Sequence, residues 1–123
     1  PLTLRMGRKK ITDRMTTLRA GERIVSDPRI ETIANELVRV YARGMHSANQ
    51  IAAEASRRLR AAGLKGYSGF RTLVSSTRQP AVILNRENMK PNGVSAVGIG
   101  LSIARPEDAQ NDEYFVVILL GMK

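Results

Sequence analysis

From Ala34 to Ala62 the apolar positions recur with unbroken 4-3 spacing: Ala34, Val38, Tyr41, Met45, Ala48, Ala52, Ala55, Leu59 and Ala62. Such a stripe is one face of a helix. Asp27 suits the N-cap, Pro28 the first helical position and Gly63 a left-handed stop, so the pattern predicts a long helix over 28–62. Gly44 lies in its middle and costs about 1 kcal/mol relative to Ala. Ser47-Ala-Asn-Gln50 fits a capping box, which would divide the stripe into 28–43 and 47–62. The phase kept through Met45 and Ala48 favours a continuous or kinked helix.

After Gly63 the period shortens to two. Strands are predicted at about 70–76, 81–85, 95–104 and 113–120. Pro80 suits a strand start, and Pro91-Asn-Gly93 reads as a turn. In 95–104 the large Val97, Ile99, Leu101 and Ile103 alternate with Ala96, Gly98, Gly100, Ser102 and Ala104. The small face suits a closely approaching helix or neighbour. Tyr114 to Leu120 is apolar on both faces, the mark of a central strand covered on both sides. Together these elements predict an α+β fold, a long helix packed on a four-stranded antiparallel β-meander.

Residues 1–26 form a basic N-terminal arm or short helix ahead of a single α+β domain, 27–123. Ile11, Met15 and Leu18 have helical spacing, with Thr12 or Asp13 near the start and Gly21 at the end. One long helix covers only one face of a sheet. The other face must be covered by the N-terminal segment or by a second subunit. The two-faced last strand therefore argues for a homo-oligomer, with Tyr114, Val116, Ile118, Leu120, Gly98 and Gly100 at the subunit interface.

Composition narrows the chemistry. The 123 residues hold no Cys, which excludes disulfides, thiolate metal sites and a Cys nucleophile. No apolar run reaches transmembrane length, no signal peptide is visible, and Pro1 reads as the residue left after loss of an initiator Met. Lys and Arg total 20 against 11 acids, a net charge of +9 that favours a polyanion or acidic protein surface as partner. The candidate contacts are Arg5, Arg8, Lys9, Lys10 and Arg14 on the arm, and Arg57, Arg58 and Arg60 at the helix end. The last three also complement the helix dipole without any ligand.

Catalytic signals are weak. His46 is the only histidine, and nothing in the sequence supplies it with a nucleophile or an orienting acid. Ser75-Ser76-Thr77 has no nucleophile elbow, and Glu107, Asp108, Asp112 and Glu113 lack EF-hand spacing. Gly98-x-Gly100 opens no helix and is not a dinucleotide fingerprint. The expectation is a non-enzyme with no cofactor and no metal.

Two families share parts of this layout. Ile51-Ala-Ala-Glu-Ala-Ser-Arg-Arg-Leu59, Tyr67-Ser-Gly-Phe-Arg-Thr-Leu-Val74, Val97-Gly-Ile-Gly100 and Tyr114-Phe-Val-Val-Ile-Leu-Leu-Gly121 resemble the neck, head–tail connector or tail-completion proteins of tailed bacteriophages. The resemblance covers roughly residues 30–121, with Leu120 where an acid often precedes the closing Gly. It implies a non-enzymatic, ring-forming virion protein. Its partners would be neighbouring portal, adaptor or tail proteins and packaged DNA, touched without sequence preference, and no membrane. The second resemblance is to the CAP (cysteine-rich secretory) domain. Ser75-Ser-Thr-Arg-Gln-Pro-Ala-Val-Ile-Leu-Asn85 is similar to its S-P-G-H-R-x-N-I-L-N segment, and Val97–Gly100 and Tyr114–Val117 also fit. Gln79 stands where that family's His belongs, the Gly-Glu-Asn-Ile strand is missing, and the spacing is shorter. This resemblance implies a degenerate domain without its ligand tetrad. The remaining alternatives are a small basic nucleic-acid-binding module and a ribosome- or toxin-associated basic protein. If the chain is not viral, the expectation is a cytoplasmic one.

Overall fold

The computed structural model describes residues 1–19, 24–89 and 93–123. Gly21, the expected helix stop, and Pro91-Asn92 of the expected turn lie outside the described residues. The elements run α1 (Leu4–Arg19), β1 (Val25–Ser26), α2 (Pro28–Ala42), α3 (Ala48–Ala62), β2 (Gly69–Thr77), a 3₁₀ turn (Pro80–Ile83), β3 (Val94–Ala104) and β4 (Glu113–Met122). The fold is α+β.

The helix expected over 28–62 is broken. Tyr41 is buried, but Met45, next in the sequence stripe, is 79% exposed. Gly44 takes φ +80°, which a helix interior does not allow and glycine adopts freely. The capping box then restarts the chain: Ser47 Oγ accepts from Gln50 N, and Gln50 Oε1 accepts from Ser47 N. Two orphan amides are satisfied there, an arrangement that a continuous helix would forgo. The inward face of α3 is Ile51, Ala55 and Leu59.

The sheet is not a meander. Its order is β1-β3-β4-β2, with β1 parallel to β3 and the other pairs antiparallel. The expected strand at 81–85 is the 3₁₀ turn and its exit, and the fourth strand is the two-residue β1. β4 lies between β3 and β2, which explains its composition. Phe115, Val117 and Leu119 pack under α2 and α3, while Tyr114, Val116, Ile118 and Leu120 join Ile11, Met15, Leu84 and Met89 on the other face.

That second cluster corrects the expected subunit interface. Tyr114 is 1% exposed and Val116, Ile118 and Leu120 are 0% exposed, all covered by this chain's own α1 and 3₁₀ segment. Burying Ile11 and Met15 contributes about 2 kcal/mol each. Gly7 permits the contact, since a Cβ there would come within 2.5 Å of the Tyr114 ring. Tyr114 Oη also donates to Thr3 O at 2.7 Å. Gly98 and Gly100 likewise face inward. A Cβ on Gly98 would meet Glu31 N at 2.5 Å, and one on Gly100 would meet Ala34 O at 2.2 Å. The bare face of β3 is the bed of α2.

Candidate functional site

The ionisable group around the buried Asp27 is structural. Asp27 caps α2, and its side chain accepts from Arg29 N at 2.9 Å, Arg29 Nη2 at 2.8 Å and Tyr67 Oη at 2.6 Å. The Arg29 hydrogen bonds hold the carboxyl well below its usual range against the cost of burial, and Tyr67 adds to the effect. Burial, then the bond to Asp27, raises the Tyr67 phenol. Sequence spacing picked out Asp27 as a cap. It carried no signal for Tyr67, forty positions away, which ties the approach to β2 onto the start of α2.

The basic residues divide into two groups on opposite faces of the sheet. α1 belongs to one packing cluster and α3 to the other. On α1, Arg8 binds Glu31 at 3.0 Å and donates to Ile99 O at 3.3 Å, and Arg14 donates to Leu84 O. Lys9 pairs with Asp13, while Arg5 and Lys10 are exposed. On α3, Arg57 and Arg58 both bind Glu54, which lowers its pKa, and Arg58 also reaches Glu36 at 3.0 Å. Arg60 has no ion pair among the described residues. Five of the eight expected polyanion contacts, Arg8, Lys9, Arg14, Arg57 and Arg58, therefore hold the fold together or are neutralised by neighbours.

His46 is exposed beside the α2–α3 turn, and Ser75, Ser76 and Thr77 lie within β2. In the acidic loop, Asp112 lies 3.9 Å from Arg105. Among the described residues no three His, Cys, Asp or Glu side chains group as a metal site would need. No described helix is long and apolar enough to cross a membrane.

What remains is the boundary of the sheet. A strand edge presents unpaired N–H and C=O groups that another chain can pair with. On β3, the outward carbonyls of Val97 and Ile99 are both taken, the first by Asp27 N at 3.0 Å and the second by Arg8. β1 pairs with Ala96 and Val97. On the opposite side, β2 pairs only with β4 along its nine residues. Lys123 N donates to Gly93 O across the Val94↔Met122 pair, so that pair is the non-bonded kind and the Met122 main chain turns towards β2. Alternation then points the main-chain groups of Phe70, Thr72, Val74 and Ser76 outward. Among the described residues these groups have no hydrogen-bond partner.

Two cavities flank this edge. One, of about 320 Å³, lies on the α3 side and is lined by Leu59, Arg60, Tyr67, Ser68, Gly69 and Phe70 among others. The other, of about 340 Å³, is lined by Arg71, Asn85, Glu87 and Asn88. Reciprocal bonds between Asn85 and Asn88, each amide N to the other's side-chain oxygen at 2.9 Å, fix the loop that forms it. Arg71 donates to the carbonyls of Asn88 and Glu87. No family model, curated protein or solved structure matches this chain.

Proposed function

We propose that this chain is a non-enzymatic interaction subunit that takes up a partner protein along β2. The observation that carries the reading is the bare nine-residue edge of β2, set against a β3 edge closed over most of its length. Strand addition to such an edge draws affinity from main-chain hydrogen bonds and specificity from pockets beside it.

Both family resemblances are compatible with this reading. The three CAP-like segments fall on the end of β2 with the 3₁₀ turn, on β3 and on β4, and the four connector-like segments on α3, the start of β2, β3 and β4. Gln79, in the place of the CAP family's His, spends its main-chain N–H on Thr77 Oγ1. The phage-connector resemblance includes a long helix and a meander, which the broken helix and the strand order β1-β3-β4-β2 do not match. It remains as a second reading because a bare strand edge also serves ring assembly.

Native mass together with hydrogen exchange on β2 separates the two. Our reading expects a monomer of 13.6 kDa whose outward amides at Thr72, Val74 and Ser76 exchange quickly. A stable ring with those amides protected would replace it with the connector reading.

A further inference from the structure

The partner of the β2 edge can be specified further, on the reading that β2 is where a partner binds. Three guanidiniums lie along this strand, and none is neutralised by a carboxylate among the described residues. Arg60 lines the cavity beside Gly69 and Phe70, Arg71 lies on β2 itself, and Arg78 follows the last residue of β2. Arg71 is held by carbonyls alone, which orients the guanidinium without neutralising it. Nine strand residues span about 30 Å, so this positive charge runs from one end of the edge to the other.

The two faces beside the edge differ. Phe70 and Val74 pack with α2 and α3, and the cavity there is formed by Leu59, Tyr67 and Phe70. On the other face, the Arg71 cavity is polar, with Asn85, Glu87 and Asn88 around it, so Arg71 must meet an incoming carboxylate on the side away from Glu87. Successive residues of an added strand point to opposite faces. A segment whose apolar residues alternate with acidic ones would set its apolar side chains against α3 and its carboxylates against Arg71.

A second copy of this chain fits poorly. Two-fold antiparallel pairing of β2 with itself sets Gly69 opposite Thr77 of the other copy. Arg60 of one copy then approaches Arg78 of the other, and two chains of net charge +9 meet. We infer that the β2 edge binds an extended acidic segment of another protein, alternating apolar and acidic residues, as a fifth strand of the sheet.

The test uses a fluorescent decapeptide of alternating valine and glutamate, with a valine–lysine peptide as control, titrated against the full chain by anisotropy. The glutamate peptide should bind, weaken as salt is raised, and outcompete the lysine peptide. Thr72→Pro removes one outward N–H and leaves the β2–β4 ladder intact, since proline is tolerated on an edge when its nitrogen faces away from the sheet. It should weaken binding about tenfold, through the lost bond and the blocked approach. If Thr72→Pro does not fold, Arg60→Glu/Arg78→Glu, both on the surface, should reduce the preference for glutamate over lysine, with Arg71 keeping the remainder. Equal binding of the two peptides overturns the inference. So does unchanged affinity in folded Thr72→Pro, or a homodimer that Thr72→Pro dissolves. Slow exchange at Thr72, Val74 and Ser76 in the free protein would instead sink the underlying reading of β2 as an open edge.

Discussion

The two edges of this sheet are treated in opposite ways. Along β3 the chain brings in a short parallel strand, the main-chain N–H of its helix cap and the guanidinium of Arg8, so that little beyond residues 101–104 stays open. Along β2 no described residue closes the ladder. The devices that commonly blunt an edge are absent as well: Gly69–Thr77 has no proline, no register shift and only one charged residue. The difference follows from topology. The chain reaches β3 with α1, β1 and α2 already gathered around it, because α2 must lie on Gly98 and Gly100. β2 receives α3 on one face and the 3₁₀ segment on the other, and neither extends past the strand to cap its outward amides.

The closed side is most easily broken where α2 meets β3. Gly100→Ala places a methyl group 2.2 Å from Ala34 O, in main chain on both sides, so the helix must lift from the sheet. We expect a loss on the order of 3 kcal/mol in urea unfolding. A loss near zero would mean that α2 does not set the geometry of β3.

Asp27→Ala comes next. It removes the helix cap, worth about 1 kcal/mol, and the acceptor for Arg29 and Tyr67, for a total of about 2–3 kcal/mol. Because Arg29 and Tyr67 lower the Asp27 pKa in the folded state, its contribution is fully present above the unfolded value near 3.8 and is lost as pH falls below it. The gap between wild type and Asp27→Ala should therefore narrow in melts taken from pH 5 down to pH 3. A gap independent of pH would leave Asp27 as a cap only, with no charge coupling to Arg29.

These effects also show what the sequence made legible. The strand expected at 95–104 follows its alternation and the one at 113–120 its unbroken apolar run, and the glycine face of β3 points to a close helix. The order of the strands does not follow from alternation, which fixes faces and not neighbours. Yet the two-faced apolar character of Tyr114–Leu120 already demanded a central strand, a position that the last strand of a meander cannot hold. Burial was the stronger signal, and it wins in the structure. Ala81–Asn85 misled because a short apolar run after proline fits a strand and a 3₁₀ turn equally well. The break at Gly44 was written in the capping box, and the continuing stripe obscured it. The Asp27–Tyr67 bond and the bare edge of β2 depend on which segments meet in space, so local sequence held no trace of them.

Arg8→Ala has the smallest expected effect and bears most directly on the comparison. It bares Ile99 O and frees Glu31, turning part of a guarded edge into an open one. The Arg8–Glu31 pair is half-exposed and adds little, so the expected loss is about 1 kcal/mol, chiefly from the carbonyl bond. Arg8→Lys separates the two contributions, since one ammonium can keep Glu31 but lacks the fork that reaches a carboxylate and a carbonyl together. Its stability should fall between wild type and Arg8→Ala. If Arg8→Lys matches wild type, the carbonyl bond contributes nothing. The β3 edge would then be closed by β1 and Asp27 alone, and the contrast with β2 would rest on residues 96 and 97 instead of the longer stretch through Ile99.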